Sequence, residues 1–220
     1  EYVAGLDKED KKMDLNAWVS IENTSGTSYN NAKLKLVAGD VNLLKNDYNQ
    51  YNPRVSDGLY MEKSSAPQFT ENEFFEYHIY TLQRPSTIAN NEVKQISLFE
   101  ASSIPVVKKY QFISDYYSAA GKKDVSVMVE FENKEEYGLG IPMPKGKVRI
   151  YKSDGGSLEF IGEDKTDHTP RNEKISLKMG NAFDLVAEEK MENYKQISDR
   201  VHEATFILTL KNRKKESVTI

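Results

Sequence analysis

The chain reads as all-β: antiparallel sheets in an immunoglobulin-like β-sandwich architecture, with two sandwiches in succession. Three observations predict this. An alternating apolar run that stops on Asn occurs three times: Leu15, Ala17, Val19 and Ile21 before Glu22-Asn23; Val125, Val127, Val129 and Phe131 before Glu132-Asn133; Ala204, Phe206, Leu208 and Leu210 before Lys211-Asn212. Period-two spacing collects the apolar side chains on one face. Asn suits a strand end because its side chain bonds nearby backbone and it tolerates positive φ. Second, 13 Tyr and 9 Phe against one Trp favour sheet. Third, a hydrophobic fraction of 38% fits strands that turn every second residue to water. Disorder would show few aromatics and little periodicity.

Taken in order, the first run ends in a Ser/Gly/Asn turn, and a second strand follows with Ala32, Leu34 and Leu36 alternating with Lys33 and Lys35. From Asp40 to Asn72 the periodicity lapses into Asn, Tyr, Ser, Gln and proline. A connection that long is an insertion, a mobile loop or a partner-ordered segment. Alternation resumes at Phe75, Tyr77 and Ile79, breaks at Arg84-Pro85, and returns at Ile96 and Leu98; Pro105 then sets off Val106–Ile113. The small, polar Ser118–Asp124 stretch is read as a domain boundary. This gives an N-terminal β-sandwich domain over 1–120, carrying the polar insertion at about 40–72, and a C-terminal β-sandwich domain over 121–220.

In the second half, Val148 and Ile150 lead into Ser153-Asp154-Gly155-Gly156, and Leu158 and Phe160 lead out, which predicts a hairpin with a positive-φ turn. Ile175, Leu177 and Met179 alternate with polar neighbours, and Gly180-Asn181 turns the chain into Phe183, Leu185 and Ala187. For Glu188–Asp199 two readings stand. Met191, Tyr194, Ile197 and Val201 sit at helical spacing, while a charged edge strand running into Arg200–Asn212 fits equally.

Net charge is −4, with 30 basic and 34 acidic residues well mixed, so neither nucleic acid nor an anionic membrane is an expected partner. No apolar run reaches the roughly 20 residues of a bilayer span. The opening lacks a signal-peptide pattern and an initiator Met, which suggests that the native protein extends upstream. The absence of Cys excludes disulfides, a thiolate nucleophile and thiolate metal sites, without fixing a compartment.

Several segments, collinear over most of the chain outside Asp40–Asn72, carry a resemblance. They are Leu34–Asp40 (LKLVAGD), Tyr80–Ile88 (YTLQRPSTI), Gly138–Pro144 (GLGIPMP), Gly162–Pro170 (GEDKTDHTP), Gly180–Asp184 (GNAFD) and Ile197–Val201 (ISDRV). This wording resembles the bacterial domain of unknown function numbered 4139, whose relatives include proteins named after mucoidy inhibition. The resemblance implies an exported, periplasmic or envelope-associated bacterial protein of β-sandwich type, with sequence on both sides. It supplies no activity and no catalytic residues.

Among polar clusters, Asp164, Asp167 and His168 have ligand-like chemistry: carboxylates suit hard cations, imidazole suits zinc or iron. The simpler reading is a turn, since Asp and Thr before Pro170 organise loops through side-chain-to-backbone bonds. Gly138-Leu139-Gly140 with Pro142 and Pro144 is not a phosphate loop, because the prolines preclude the helix that would hold a phosphate. It reads as a rigid connection carrying Ile141 and Met143 inward. His78 and His202 fit as strand histidines, and no G-x-S-x-G elbow anchors serine chemistry. Trp18, on the outward phase of its strand, could join Tyr77 and Tyr80 in an exposed aromatic binding surface; the plainer reading packs Trp18 under a neighbouring sheet or loop.

The leading functional expectation is a non-enzymatic binding or scaffolding module of the bacterial envelope, without cofactor. It would contact a protein or envelope component through edge strands or the 40–72 segment. The alternative is a metal-dependent hydrolase or carbohydrate-active enzyme using Asp164, Asp167 and His168. A third is a spacer that stabilises a neighbouring domain.

Overall fold

Strand accounts for 70% and helix for 2% of the computed structural model, which describes residues 1–39, 59–61, 68–74, 76–114 and 121–220. In chain order the strands are β1 (Tyr2–Leu6), β2 (Lys12–Asn23), β3 (Tyr29–Ala32), β4 (Lys35–Ala38), β5 (Leu59–Met61), β6 (Phe69–Phe74), β7 (Tyr77–Leu82) and β8 (Ser86–Ile88). They continue as β9 (Glu92–Pro105), β10 (Val107–Gln111), β11 (Gly121–Glu132), β12 (Gly146–Asp154), β13 (Ser157–Thr166), β14 (Lys174–Ser198) and β15 (Val201–Asn212). A six-stranded sheet has the order β13-β12-β1-β2-β9-β5, a four-stranded sheet β10-β11-β14-β15, and a three-stranded sheet β4-β7-β6; β3 pairs with β8. The fold is thus all-β and sandwich-type, antiparallel throughout the described pairings except for β1 with β12 and β5 with β9.

Register explains how alternation becomes a core. Val148, Tyr2, Ala17 and Phe99 form one cross-strand row, and Ile150, Ala4, Leu15 and Ala101 form the next. All eight are buried. In the four-stranded sheet Val129 lies opposite Leu177 and Phe131 opposite Ile175, also buried. These two faces, with Tyr80 and Leu82 of β7 and with Leu139 and Met143 of the proline-bearing connection, make a single main core. A smaller cluster holds Val125, Leu185 and Ala187.

β1 and β12 pair across the 120/121 division, and the main core mixes Leu15 and Ile104 with Phe131 and Ile175. That division therefore runs through a shared sheet and a shared core. Of the 40–72 insertion, most lies outside the described residues, but it contributes β5 beside β9 and the start of β6 beside β7.

The three Asn residues end their strands by side-chain bonding, not by positive φ. Asn23 Nδ2 donates to the Thr27, Ile88 and Ala89 carbonyls while its Oδ1 accepts from Ser25. Asn133, fully buried, donates to the Ile141 and Pro170 carbonyls and accepts the Gly140 N–H. Asn212, exposed, donates to the Glu216 carbonyl and accepts the Lys214 N–H. Gly140 sits at φ +79, and a Cβ there would lie 2.7 Å from Glu135 backbone atoms. The predicted hairpin forms as well: Asp154 pairs with Ser157 around Gly155 and Gly156, at φ 57 and 106.

Three expectations change. In β7 the buried phase is Tyr80 and Leu82, whereas Tyr77 and Ile79 are half-buried and Phe75 lies outside the described residues. Both phases of this strand carry large apolar side chains, so alternation alone does not pick a face. His78, on the Tyr80 phase, is accommodated by pairing with Glu71. Gly180-Asn181 makes no turn, because β14 runs unbroken from Lys174 to Ser198, and of the two readings left open for the segment after Ala187 the strand holds: Glu188–Ser198 is the outgoing arm of the β14–β15 hairpin, with Asp199 in its turn. Lastly, the β15 run does not reach a core: Leu208 and Leu210 are 47% and 43% exposed.

Candidate functional site

The Pro142–Lys145 connection and the Asp167–Glu173 turn are stitched together and then tied to the three-stranded sheet. Asn133 holds both through the Ile141 and Pro170 carbonyls. Met143 and Thr169 exchange backbone hydrogen bonds of 2.8 and 2.9 Å. From β7, the Tyr80 hydroxyl donates to the Pro142 carbonyl; from β1, the Tyr2 hydroxyl donates to the Pro144 carbonyl at 2.5 Å. Glu71 of β6, its side chain only 11% exposed, accepts from Arg171 at 2.6 Å and meets His78 Nδ1 at 2.8 Å.

Between this assembly and β2 lies a cleft of about 440 Å³, lined among others by Tyr2, Trp18, Leu36, Tyr80, Leu98 and His168. An adjoining hollow of about 220 Å³ shares Ala38, Gly39, Tyr80 and His168 with it. Burial pushes up the pKa of the Tyr2 phenol, with Tyr80 adding to the effect. Burial followed by the Glu71 carboxylate does the same to Tyr80, with Arg171 opposing. Both phenols therefore stay protonated and committed to carbonyls, so they shape the cleft and do not serve as bases.

Of the three aromatics expected on an exposed surface, only Trp18 fits in part: it is half-buried and lines the cleft. Tyr80 is a core residue, 2% exposed. It lines the cleft with Trp18, but as a wall and not as a surface aromatic. Tyr77 is half-buried away from that lining, its ring so close to Gly39 that a Cβ there would sit 2.6 Å from Cδ1.

Asp164, Asp167 and His168 are not assembled into a ligand set, and among the described residues no group of three or more His, Asp or Glu could hold a metal ion. Asp164 uses Oδ1 to accept the Lys165 N–H and Oδ2 to accept the Lys178 N–H at 2.6 Å, which fastens β13 to β14. Asp167 is exposed, and its carbonyl accepts the Thr169 hydroxyl at 3.0 Å. His168 Nδ1 accepts the Lys145 N–H, and its Nε2 is a buried atom without a hydrogen-bond partner among the described residues. The arrangement is the turn that Asp and Thr before proline favour.

A second surface escaped the sequence reading. β11 pairs with β14 as far as Glu189, opposite Gly121; beyond that point, among the described residues, β14 pairs only with β15. Among the described residues the hairpin thus continues as a two-stranded ribbon, a form with little stability of its own in water. It carries exposed apolar side chains: Met191, Tyr194, Ile197, Val201, Ile207 and Leu208 are all between 44% and 57% exposed. Near the tip the Tyr194 hydroxyl bonds His202 Nδ1 at 2.8 Å, and the two rings stack with centroids 5.7 Å apart. At the base Glu189, its side chain 6% exposed, pairs with Lys123 and accepts the Ser114 hydroxyl at 2.6 Å. Those hydrogen bonds hold its carboxyl below the usual range. The signal was available in the apolar residues of Glu188–Val201, which charged neighbours concealed. No family model, curated protein or solved structure matches the chain.

Proposed function

We propose that this chain is a binding or scaffolding module of the bacterial cell envelope, built of immunoglobulin-like sandwiches and working without a cofactor. The β14–β15 ribbon carries the proposal. An extension that is two-stranded among the described residues, with apolar side chains open to water, is costly unless something covers them, and among those residues β15 presents an unpaired edge for strand addition. The envelope assignment, and membership of the 4139 family, rest on the collinear segments quoted above. The metal-hydrolase alternative draws no support from Asp164, whose two oxygens are held by backbone N–H groups.

Co-sedimentation of the purified chain with isolated bacterial envelope fractions tests the reading. The wild type should sediment with the fraction. Met191→Asp combined with Leu208→Asp should stay in the supernatant, with its stability within about 0.5 kcal/mol of wild type, as for exposed positions. A wild type that stays soluble, or a variant that sediments equally, would refute the ribbon as the contact surface.

A further inference from the structure

Resting on the reading of the ribbon as a contact surface, we infer that its occupant is a second copy of this chain, joined by antiparallel pairing of β15 with β15 about a two-fold axis centred on Ile207. Among the described residues β15 is the outer strand of its sheet. It runs Val201-His-Glu-Ala-Thr-Phe-Ile-Leu-Thr-Leu-Lys-Asn212, and its central residues are apolar or small and uncharged. Charge appears only at Glu203 and Lys211, which stand at equal distances from Ile207.

That symmetry decides the register. A two-fold perpendicular to the sheet keeps each face with its like and makes the interface self-complementary. Centred on Ile207, it sets Glu203 opposite the second copy's Lys211 twice over, and Thr205 opposite Thr209. On the other face it sets Phe206 opposite Leu208 and Ala204 opposite Leu210, the kinds of cross-strand pair that stabilise sheets. Centred one residue earlier on Phe206, Glu203 would meet Thr209 and Lys211 would meet Val201, leaving each charge without an opposite. Lys211 also reaches Glu188 of its own chain at 2.9 Å. That pair is about two-fifths exposed on both sides, so the ammonium remains available to a second carboxylate.

The pairing would close the open edge into one eight-stranded sheet, in the order β10-β11-β14-β15 followed by its symmetry mate. It would bring Ile207 against its own copy and cover part of Leu208 and Leu210, which a lone chain leaves to water.

Sedimentation equilibrium over a range of concentrations should show a reversible dimer. Glu203→Lys and Lys211→Glu each place two like charges opposite one another, and each alone should weaken self-association roughly tenfold or more. An equimolar mixture of the two variants should recover wild-type association, because both cross-strand pairs are then opposite in sign. The chain contains no Cys, so oxidation of Ile207→Cys should give a covalent dimer at dilutions where Phe183→Cys, at a position 96% exposed, gives none. A chain that is monomeric throughout overturns the self-pairing, as does a mixture no better than either variant or equal cross-linking at 183 and 207. A monomer that still sediments with envelope fractions would reject only the second copy as occupant and leave the binding-module reading standing.

Discussion

Removing the Asn133 side chain should destabilise the protein more than removing Asn23 and far more than removing Asn212. Asn133 is fully buried and satisfies three backbone groups at 2.7, 2.8 and 2.9 Å: the Ile141 and Pro170 carbonyls and the Gly140 N–H. Asn133→Ala strands all three where water has poor access, at about 1 kcal/mol each, so the loss should be about 3 kcal/mol. Asn23, 6% exposed and bonded at a more open turn, should cost about 2 kcal/mol on the same reasoning, and exposed Asn212 about 0.5 kcal/mol. Urea titration followed by Trp18 fluorescence reads the difference. With a slope of about 2–3 kcal/mol per molar, the Asn133→Ala midpoint should fall by roughly 1 M. Asn133→Asp sharpens the test, since it keeps the shape but turns a carboxylate on two carbonyl oxygens. Its folded-state pKa should be raised, so the penalty is full well above the unfolded value of about 3.9 and shrinks as the carboxyl protonates on acidification. If Asn133→Ala costs no more than Asn212→Ala, strand termination here owes nothing to buried side-chain bonding, and the reasoning fails.

Truncation on the two phases of β11 should separate as strongly. Phe131→Ala, at a 4% exposed position, should lose about 3–5 kcal/mol in the same titration, and half-buried Met128→Ala about 1 kcal/mol; equal losses would mean that the face is misassigned. Asp10 supplies a pH test. Burial opposes its ionisation, but hydrogen bonds from Lys108, at 2.8 Å, and from Lys152 prevail and hold its pKa below the ordinary 3.8. A depressed folded pKa adds stability above the unfolded value, and that stability is lost as pH falls through the folded one. Asp10→Asn should therefore be less stable than wild type at neutral pH and converge on it below about pH 3.8; thermal midpoints across pH 2–7 check this, and a constant gap would exclude the ion pairs as its cause.

How much of this was legible depended on what kind of fact each feature is. The alternation in β2, β11 and β12 carries its own answer, because one phase is apolar and the other polar, and the register then lines up rows such as Ile150, Ala4, Leu15 and Ala101. Which strands would be neighbours was not legible: nothing local in Tyr2–Leu6 announces a parallel partner 146 residues onward at Val148. That pairing is why a boundary drawn from the composition of Ser118–Asp124 runs through a common core. The cleft beside Trp18 was half visible. Trp18 was singled out, but the burial of Tyr80 goes with its hydroxyl reaching the Pro142 carbonyl, 62 residues onward in the chain, a long-range fact.

The ribbon shows what periodicity encodes and what it leaves open. Met191 pairs with Phe206 and Tyr194 with Ala204, so two residues on β15 are matched by three on β14, with a bulge between. Such a bulge stretches a spacing of two into a spacing of three. That bulge, with a second register shift between Gln196 and Ser198, is how Met191, Tyr194 and Ile197 came to resemble one face of a helix while belonging to a strand. The even-numbered run of β15 has the opposite lesson. Ala204, Phe206, Leu208 and Leu210 have the same pattern as Val125 to Phe131, yet only the latter finds a sheet packed over it. Alternation states that a face is made to be covered, not which surface covers it. In β11 the cover is elsewhere in the same chain; in β15 the described residues supply none for Leu208 and Leu210, and the same apolar code that builds a core then specifies an interface.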